Sequence, residues 1–370
     1  MATFGAAVAL AGCFALPFVE FRANRIVSGD PYGLGAAGTL GWLLAIACVA
    51  GLAMSLLPAE RRRTRILPAG AAIVGLVPWA LGAAAVNLQQ GASPVARVSV
   101  GAGAWLVLVG GAVVWFAGTR GPRSTLLGPA AAVAVTASLV MSVAWGGLGD
   151  LSLAREYVAQ SERFWQLVRE HLVLSGAGLG LGALIGVPLG VAASRSRVVR
   201  EVGLGVAGII QTVPSLALLG LLVLPLAALG LPGIGTLPAV IALTLYALLP
   251  IVRNTYVGLA GVDAGALDAG RGMGMSRTQL LVRIEAPLAL PLLLEGVRAS
   301  AVLVIGIAAV TAFVGAGGLG VLVFLGWGQQ ADDLTLLGAL PMVALALLVD
   351  VGMRLVARAI VSPGIREVGA

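Results

Sequence analysis

Apolar residues in this chain come in long blocks, near residues 34–57, 66–86, 98–117, 126–145, 172–193, 202–229, 237–257, 288–314 and 334–356. A bilayer's hydrocarbon core takes about 20 helical residues to cross, so each block predicts one span. A tenth apolar segment, Phe4 to Phe18, opens the chain. It lacks the basic stretch that precedes a cleaved secretory signal, and it is read as the first span. The predicted fold is an all-α polytopic membrane protein of about ten transmembrane helices. The breaks between blocks are short and carry Pro, Gly or Arg, as connections must when they leave the hydrocarbon before turning.

Composition sharpens this picture. Hydrophobic residues make up 59% of the 370 positions, a further 53 are Gly, and charged residues reach only 11%. That is less than half the usual charged share of about a quarter, too little to cover a water-soluble body of this size. Disorder, collagen and a disulfide scaffold are excluded on the same grounds. All 23 basic residues are Arg, and the net charge is +7. The arginines are scattered between apolar blocks instead of forming a face, so they read as topology signals and not as a nucleic-acid surface. With the amino terminus in the cytoplasm, Arg61, Arg62, Arg63, Arg65, Arg120, Arg123, Arg195, Arg197, Arg200, Arg253, Arg271, Arg277, Arg283, Arg354, Arg358 and Arg366 fall inside. Arg22, Arg25, Arg97, Arg155, Arg163 and Arg169 fall outside, which satisfies the positive-inside rule and places both termini in the cytoplasm.

The chain divides near residue 150. Residues 1–149 form an amino-terminal extension of about five spans with few polar groups and no ionisable residue deep in a block, which reads as scaffold. Residues 150–171 mix Leu151, Tyr157, Phe164, Trp165 and Leu167 with Arg155, Glu156, Glu162, Arg163, Arg169 and Glu170, and are expected to form an amphipathic linker helix on the membrane surface. Residues 172–360 hold five further spans, with the longest cytoplasmic connection at 258–287. In that connection Asp263 is placed to cap a short helix over Ala266, Asp268, Ala269 and Met273, and Gly270, Gly272 and Gly274 allow a tight turn out of it. A second amphipathic stretch, Leu280 to Ile284, leads to Pro287 at the membrane. A compact helix held out between two spans has the form of a helix-in-groove docking element. An ordinary loop is the bland alternative.

This stretch resembles the EAA signature of ABC importer permeases: Asp268, Ala269, Gly274, Ile284 and Pro287 stand at the signature's spacing. Asp replaces the usual Glu at 268, Gly the second Ala at 270, and Ala286 the common Leu before the proline. Residues 211–220 (QTVPSLALLG), 265–275 and 315–320 (GAGGLG) are similar to the permeases of osmoprotectant importers for glycine betaine, choline and carnitine, and the likeness runs over residues 165–360. The added amino-terminal spans resemble the longer, YehY-type permease of that family, which works beside a shorter one. The resemblance implies a type I ABC permease core of five helices in the bacterial cytoplasmic membrane. It implies ATP and Mg bound on a separate cytoplasmic ABC ATPase, with no cofactor and no catalytic residue on this chain. It further implies a periplasmic or lipid-anchored substrate-binding protein and a second permease subunit, a shorter paralogue or a second copy.

Polar residues within the spans allow a reading of their own. Pro214 removes a helical hydrogen bond and bends its span, and Gln211, Thr212 and Ser215 set polar groups beside the bend. Such a break lines a cavity, or it is a packing kink whose hydroxyls bond back to their own helix. Glu295 and Arg298 lie seven and ten residues beyond Leu288, about 10 and 15 Å into the bilayer at helical rise. They must pair, as their spacing allows, or face a watery path.

Several tempting motifs fail on context. Gly315, Gly317 and Gly320 spell a dinucleotide-binding pattern, but no strand or βαβ unit surrounds them, and a phosphate loop needs a Lys that this chain lacks. The family resemblance makes Gly315, Gly317, Gly318 and Gly320 a re-entrant turn near the external gate. Gly147 to Asp150 spell the G-x-G-D of intramembrane aspartyl proteases, with no second aspartate on a neighbouring span. Cys13, Cys48 and His171 are too scattered for a metal site and read as packing residues. A transport subunit moving its substrate by alternating access is the expectation. An ion-gradient-driven secondary transporter would show intramembrane acids matched between the two halves, which are not found. An ABC permease for another small solute, such as an amino acid, is the nearer alternative.

Overall fold

The computed structural model describes residues 1–24, 27–119 and 124–360. Arg25, Arg120, Arg123 and Arg366, the side chains of Arg61, Arg62 and Arg63, and the carboxyl terminus lie outside the described residues. Among the described residues, seven helices are long and apolar enough to cross a membrane, or eight if one sharply bent pair counts as a single span. Two further apolar helices, Ala2–Phe14 and Ala102–Gly118, stand where spans were expected, but at 13 and 17 residues they reach only about 20 and 26 Å. All ten apolar segments are therefore helical, and two of them fall short of the hydrocarbon thickness.

The chain forms two compact units, the first comprising Met1–Ala159 with Ala331–Asp333, the second Gln160–Gln330 with Leu334–Ala370. In the first, α1 (Ala2–Phe14), α2 (Gly38–Ser55), α3 (Ala59–Gln89) and α4 (Ala102–Gly118) pack around Phe18, Leu44, Cys48, Ile73, Val77 and Val107, and α5 (Ser124–Ala144) packs on α3 through Ala131 against Leu67 and Ala71. α1 and α4 meet on glycine: a Cβ at Gly110 would lie 2.5 Å from the Ala9 nitrogen, and one at Gly12 2.5 Å from the Gly103 oxygen. Without a hydrophobic force between helices in lipid, such close backbone approach supplies the packing energy.

A small sheet accompanies these helices, a feature the apolar blocks did not announce. β1 (Val19–Arg22) lies between β2 (Asp30–Tyr32) and β3 (Arg97–Val100), antiparallel to both, with Phe21 opposite Asp30 and Val98. The strands are three or four residues long, too short for alternation to stand out from noise. Here Arg22 pairs with Asp332 at 3.1 Å, and Ser99 donates to the buried Asp333 at 2.5 Å.

α6 (Ser152–Arg195) begins in the first unit and continues into the second as one 44-residue helix. From residue 152 the expected linker helix is continuous with the span that follows it. No Gly or Pro interrupts residues 152–175, so nothing ends the helix. Phe164, Leu167, His171 and Leu174 on this helix are buried within the protein.

The second unit continues with α7 (Arg197–Thr212), α8 (Ser215–Ala228), α9 (Thr236–Ala260), α10 (Ala264–Gly272), α11 (Arg277–Leu280) running into a π-turn at Leu281–Glu285, α12 (Ala286–Ile307), α13 (Gly320–Gly328) and α14 (Asp332–Ile360). Its core is Leu174, Leu219, Leu243, Tyr246, Ile251 and Val304. Glycines four apart on α6 form a seam with α9: Gly178 faces Leu243, Gly182 faces Ala247, Gly186 faces Ile251 and Gly190 faces Thr255. A Cβ at Gly182 would come within 2.6 Å of that of Ala247.

Candidate functional site

The connection at 258–287 is a folded element. Asp263 accepts the Ala266 N–H at 2.9 Å and so caps α10. At the other end Gly274 takes φ +78°, the Gly274 N–H reaches the Arg271 carbonyl, and the Met275 N–H reaches the Gly270 carbonyl at 3.2 Å. These two bonds are the Schellman closure, and its left-handed residue is the reason for glycine at 274. The Gly at 270, a departure from the family pattern, lets Leu280 and Ile284 pack closely on α10: a Cβ there would lie 2.6 Å from Leu280 Cδ1 and 2.7 Å from Ile284 Cδ1, and those side-chain ends would have to shift.

Ser276 and Gln279 form a capping box that starts α11. Asp268 pairs with Arg271 at 2.7 Å on the exposed side. Ala269, Gly272, Met273 and Pro287 are exposed, while Ala266 and Ile284 are half-buried. Met273, 69% exposed, and Val282, 62% exposed, leave apolar surface uncovered beside this helix.

One residue in this connection escaped sequence reasoning. Glu285, in the π-turn before Pro287, is 2% exposed and pairs with Arg195 at the end of α6. Ninety residues separate the partners, so no local pattern could have revealed them.

The break at Pro214 is sharp: α7 and α8 meet at 108°. Val213, held extended by the proline that follows, makes the corner with ψ 128°. Tyr246 closes it by donating its hydroxyl to the Val213 carbonyl, and the Gln211 side chain donates to the Tyr246 carbonyl at 3.2 Å. Thr212 bonds back to the Ile209 carbonyl of its own helix at 2.7 Å, and Ser215 opens α8 half-buried.

Glu295 and Arg298 are brought together, with Arg298 Nε 2.9 Å from Glu295 Oε2. Arg298 also reaches Asp350 of α14, which in turn holds Arg354 at 2.7 Å. The expected pair is thus part of a four-residue network joining α12 to α14.

The glycine turn follows α12. Gly315, Gly317 and Gly318 all take positive φ, and Gly320 abuts the Ala309 carbonyl. Glu170 of α6 accepts the Gly318 N–H at 3.0 Å, with its other oxygen held by Gln166 at 2.8 Å. Next to it, the fully buried His171 places Nε2 3.1 Å from the Ile305 carbonyl. Glu170 was read only as part of the linker's polar face, and His171 only as packing. No group of His, Cys, Asp or Glu that could hold a metal is formed among the described residues.

A capped helix between two spans, apolar helices around a proline-broken one and a glycine turn define a membrane transport subunit of the ABC importer type. The pattern of the binding-protein-dependent transport system inner membrane component matches residues 179–362, and that of the amino-terminal domain of the ABC transporter permease YehY matches residues 1–154. The chain belongs to this family of ABC importer permeases, whose partners are an ATPase subunit and a substrate-binding protein. It is 42% identical over 198 residues to the carnitine transport permease protein OpuCB of Listeria monocytogenes, covering 54% of this chain and 88% of that protein. It is 37% identical to the glycine betaine/carnitine/choline transport system permease protein OpuCB of Bacillus subtilis, over 53% of this chain and 88% of that one. It is 44% identical to the osmoprotectant import permease protein OsmW of Salmonella typhimurium, over 50% of this chain and 85% of that one.

Proposed function

We propose that this chain is the membrane permease of an ATP-driven importer for osmoprotectants of the glycine betaine, choline and carnitine class. It moves its substrate by alternating access and has no catalytic site of its own. ATP and Mg bind a cytoplasmic ABC ATPase that docks on α10, and a periplasmic or lipid-anchored binding protein delivers substrate. A second permease, a shorter paralogue or another copy of this chain, completes the pathway, and both termini lie in the cytoplasm. The carrying observation is the folded coupling loop, with its capped α10, its Schellman turn at Gly274 and apolar Met273 left uncovered. The substrate class follows the names of relatives at 37–44% identity. Substrate passes the α7–α8 corner at Gln211, Thr212, Pro214 and Ser215, and the turn at Gly315, Gly317, Gly318 and Gly320 serves as the outer gate.

Vesicles containing the permease, ATPase and binding protein test this directly. ATP should drive uptake of labelled glycine betaine, choline or carnitine, and uptake of amino acids alone would overturn the substrate class. Gly274→Val places a branched side chain at positive φ and should abolish uptake while the protein still inserts. Undiminished uptake by that variant would remove the coupling role from the loop.

A further inference from the structure

α6 and α9 are sealed along Gly178, Gly182, Gly186 and Gly190, so side chains cannot slide between them. Both helices touch the coupling loop at one end. Arg195, the last residue of α6, holds buried Glu285, and α9 runs out at Ala260 four residues before α10 begins. Both also touch the glycine turn at the other end. Glu170 of α6 accepts the Gly318 N–H, and the Gly235 N–H at the start of α9 donates to the Val314 carbonyl at 2.6 Å. Twenty-five residues separate Glu170 from Arg195, about 37 Å at helical rise, more than the hydrocarbon thickness.

From this we infer that α6 and α9 act as one rigid strut between the coupling loop and the glycine turn, with Arg195, Glu285 and Glu170 as its positioning residues. A displacement of the coupling loop moves Glu285, and with it Arg195. The sealed pair passes the motion to Glu170, which carries or releases the Gly318 N–H. Glycine suits the far end, because its three positive-φ positions change conformation without the steric barrier of a side chain. The inference rests on the importer reading above, and the test separates the two.

The experiment uses the full importer in vesicles, with Ala316→Cys in the glycine turn. Native Cys13 and Cys48 are buried, so a membrane-impermeant maleimide reports on position 316. ATP should change the labelling rate in this parent. If it does not, the gate reading itself fails. With Arg195→Ala or Glu170→Ala added, the ATP-dependent change and uptake should fall about tenfold while ATP hydrolysis continues. The exchanged pair Arg195→Glu with Glu285→Arg should restore both. Where an alanine variant does not assemble, Arg195→Lys and Glu170→Gln are read in its place, with a weakened response expected. An undiminished ATP-dependent change in these variants would overturn the strut and leave the importer reading standing. Failure of the exchanged pair to restore a response lost in Arg195→Ala would also overturn it.

Discussion

The two units of this chain solve the same packing problem and differ in where they keep their charges. Both join helices on glycine: Gly5, Gly12 and Gly110 between α1 and α4, and the four-residue repeat from Gly178 to Gly190 between α6 and α9. In the first unit ion pairs lie on or beside the small sheet, Arg22 with Glu20 and Asp332, Arg97 with Glu156, and Arg155 with Asp150. In the second, charged groups lie within the spans and at their ends, as Arg298 with Glu295 and Asp350, and Arg195 with Glu285. Small-residue seams are enough to hold apolar helices together in lipid. Charges within a span are costly there and are kept where they join elements that must stay in register or move together.

The largest expected effect breaks the feature that the units share. Gly182→Leu and Gly110→Leu each drive a branched side chain into a neighbouring backbone or Cβ, and each should cost about 3 kcal/mol or more, seen as loss of monodisperse protein in detergent. Next, Arg298→Ala takes the cation from Glu295 and leaves Asp350 with Arg354 alone. It should lower stability by about 2–3 kcal/mol, less than a fully buried pair because Arg298 keeps 22% exposure, while Arg155→Ala at the sheet should cost under about 1 kcal/mol. Equal losses from these two, measured by thermal unfolding, would erase the contrast between the units. Ser99→Ala deprives buried Asp333 of one of its donors and should cost about 1 kcal/mol. The smallest effect is that of Tyr246→Phe, about 1 kcal/mol, from losing the bond to the Val213 carbonyl at the α7–α8 corner.

Much of the fold was legible as written. The apolar blocks became helical, the one at 202–229 as two helices with the corner at Pro214, and Asp263 and Gly274 ended α10 as their types demand. The glycine repeat on α6 was equally visible, four residues apart, and was passed over because spacing alone does not name the facing helix. Amphipathic periodicity at 150–171 likewise marks a face to be buried without showing that the helix runs on unbroken into the next span. Glu285, Asp350 and Glu170 stayed unread because their partners stand 90, 52 and 148 residues away.

What the sequence determined by itself is what acts over a few residues: hydropathy over twenty positions, caps and closures over four to six, and the spacing at 268–287 that resembles a family signature. The tertiary structure decided which distant charges meet, how sharply α7 and α8 turn, and that residues 152–195 form one 44-residue helix. The physical reason is range. Backbone hydrogen bonds and solvent transfer are settled locally, whereas an ion pair or a glycine seam exists only once two remote segments have been brought within contact distance.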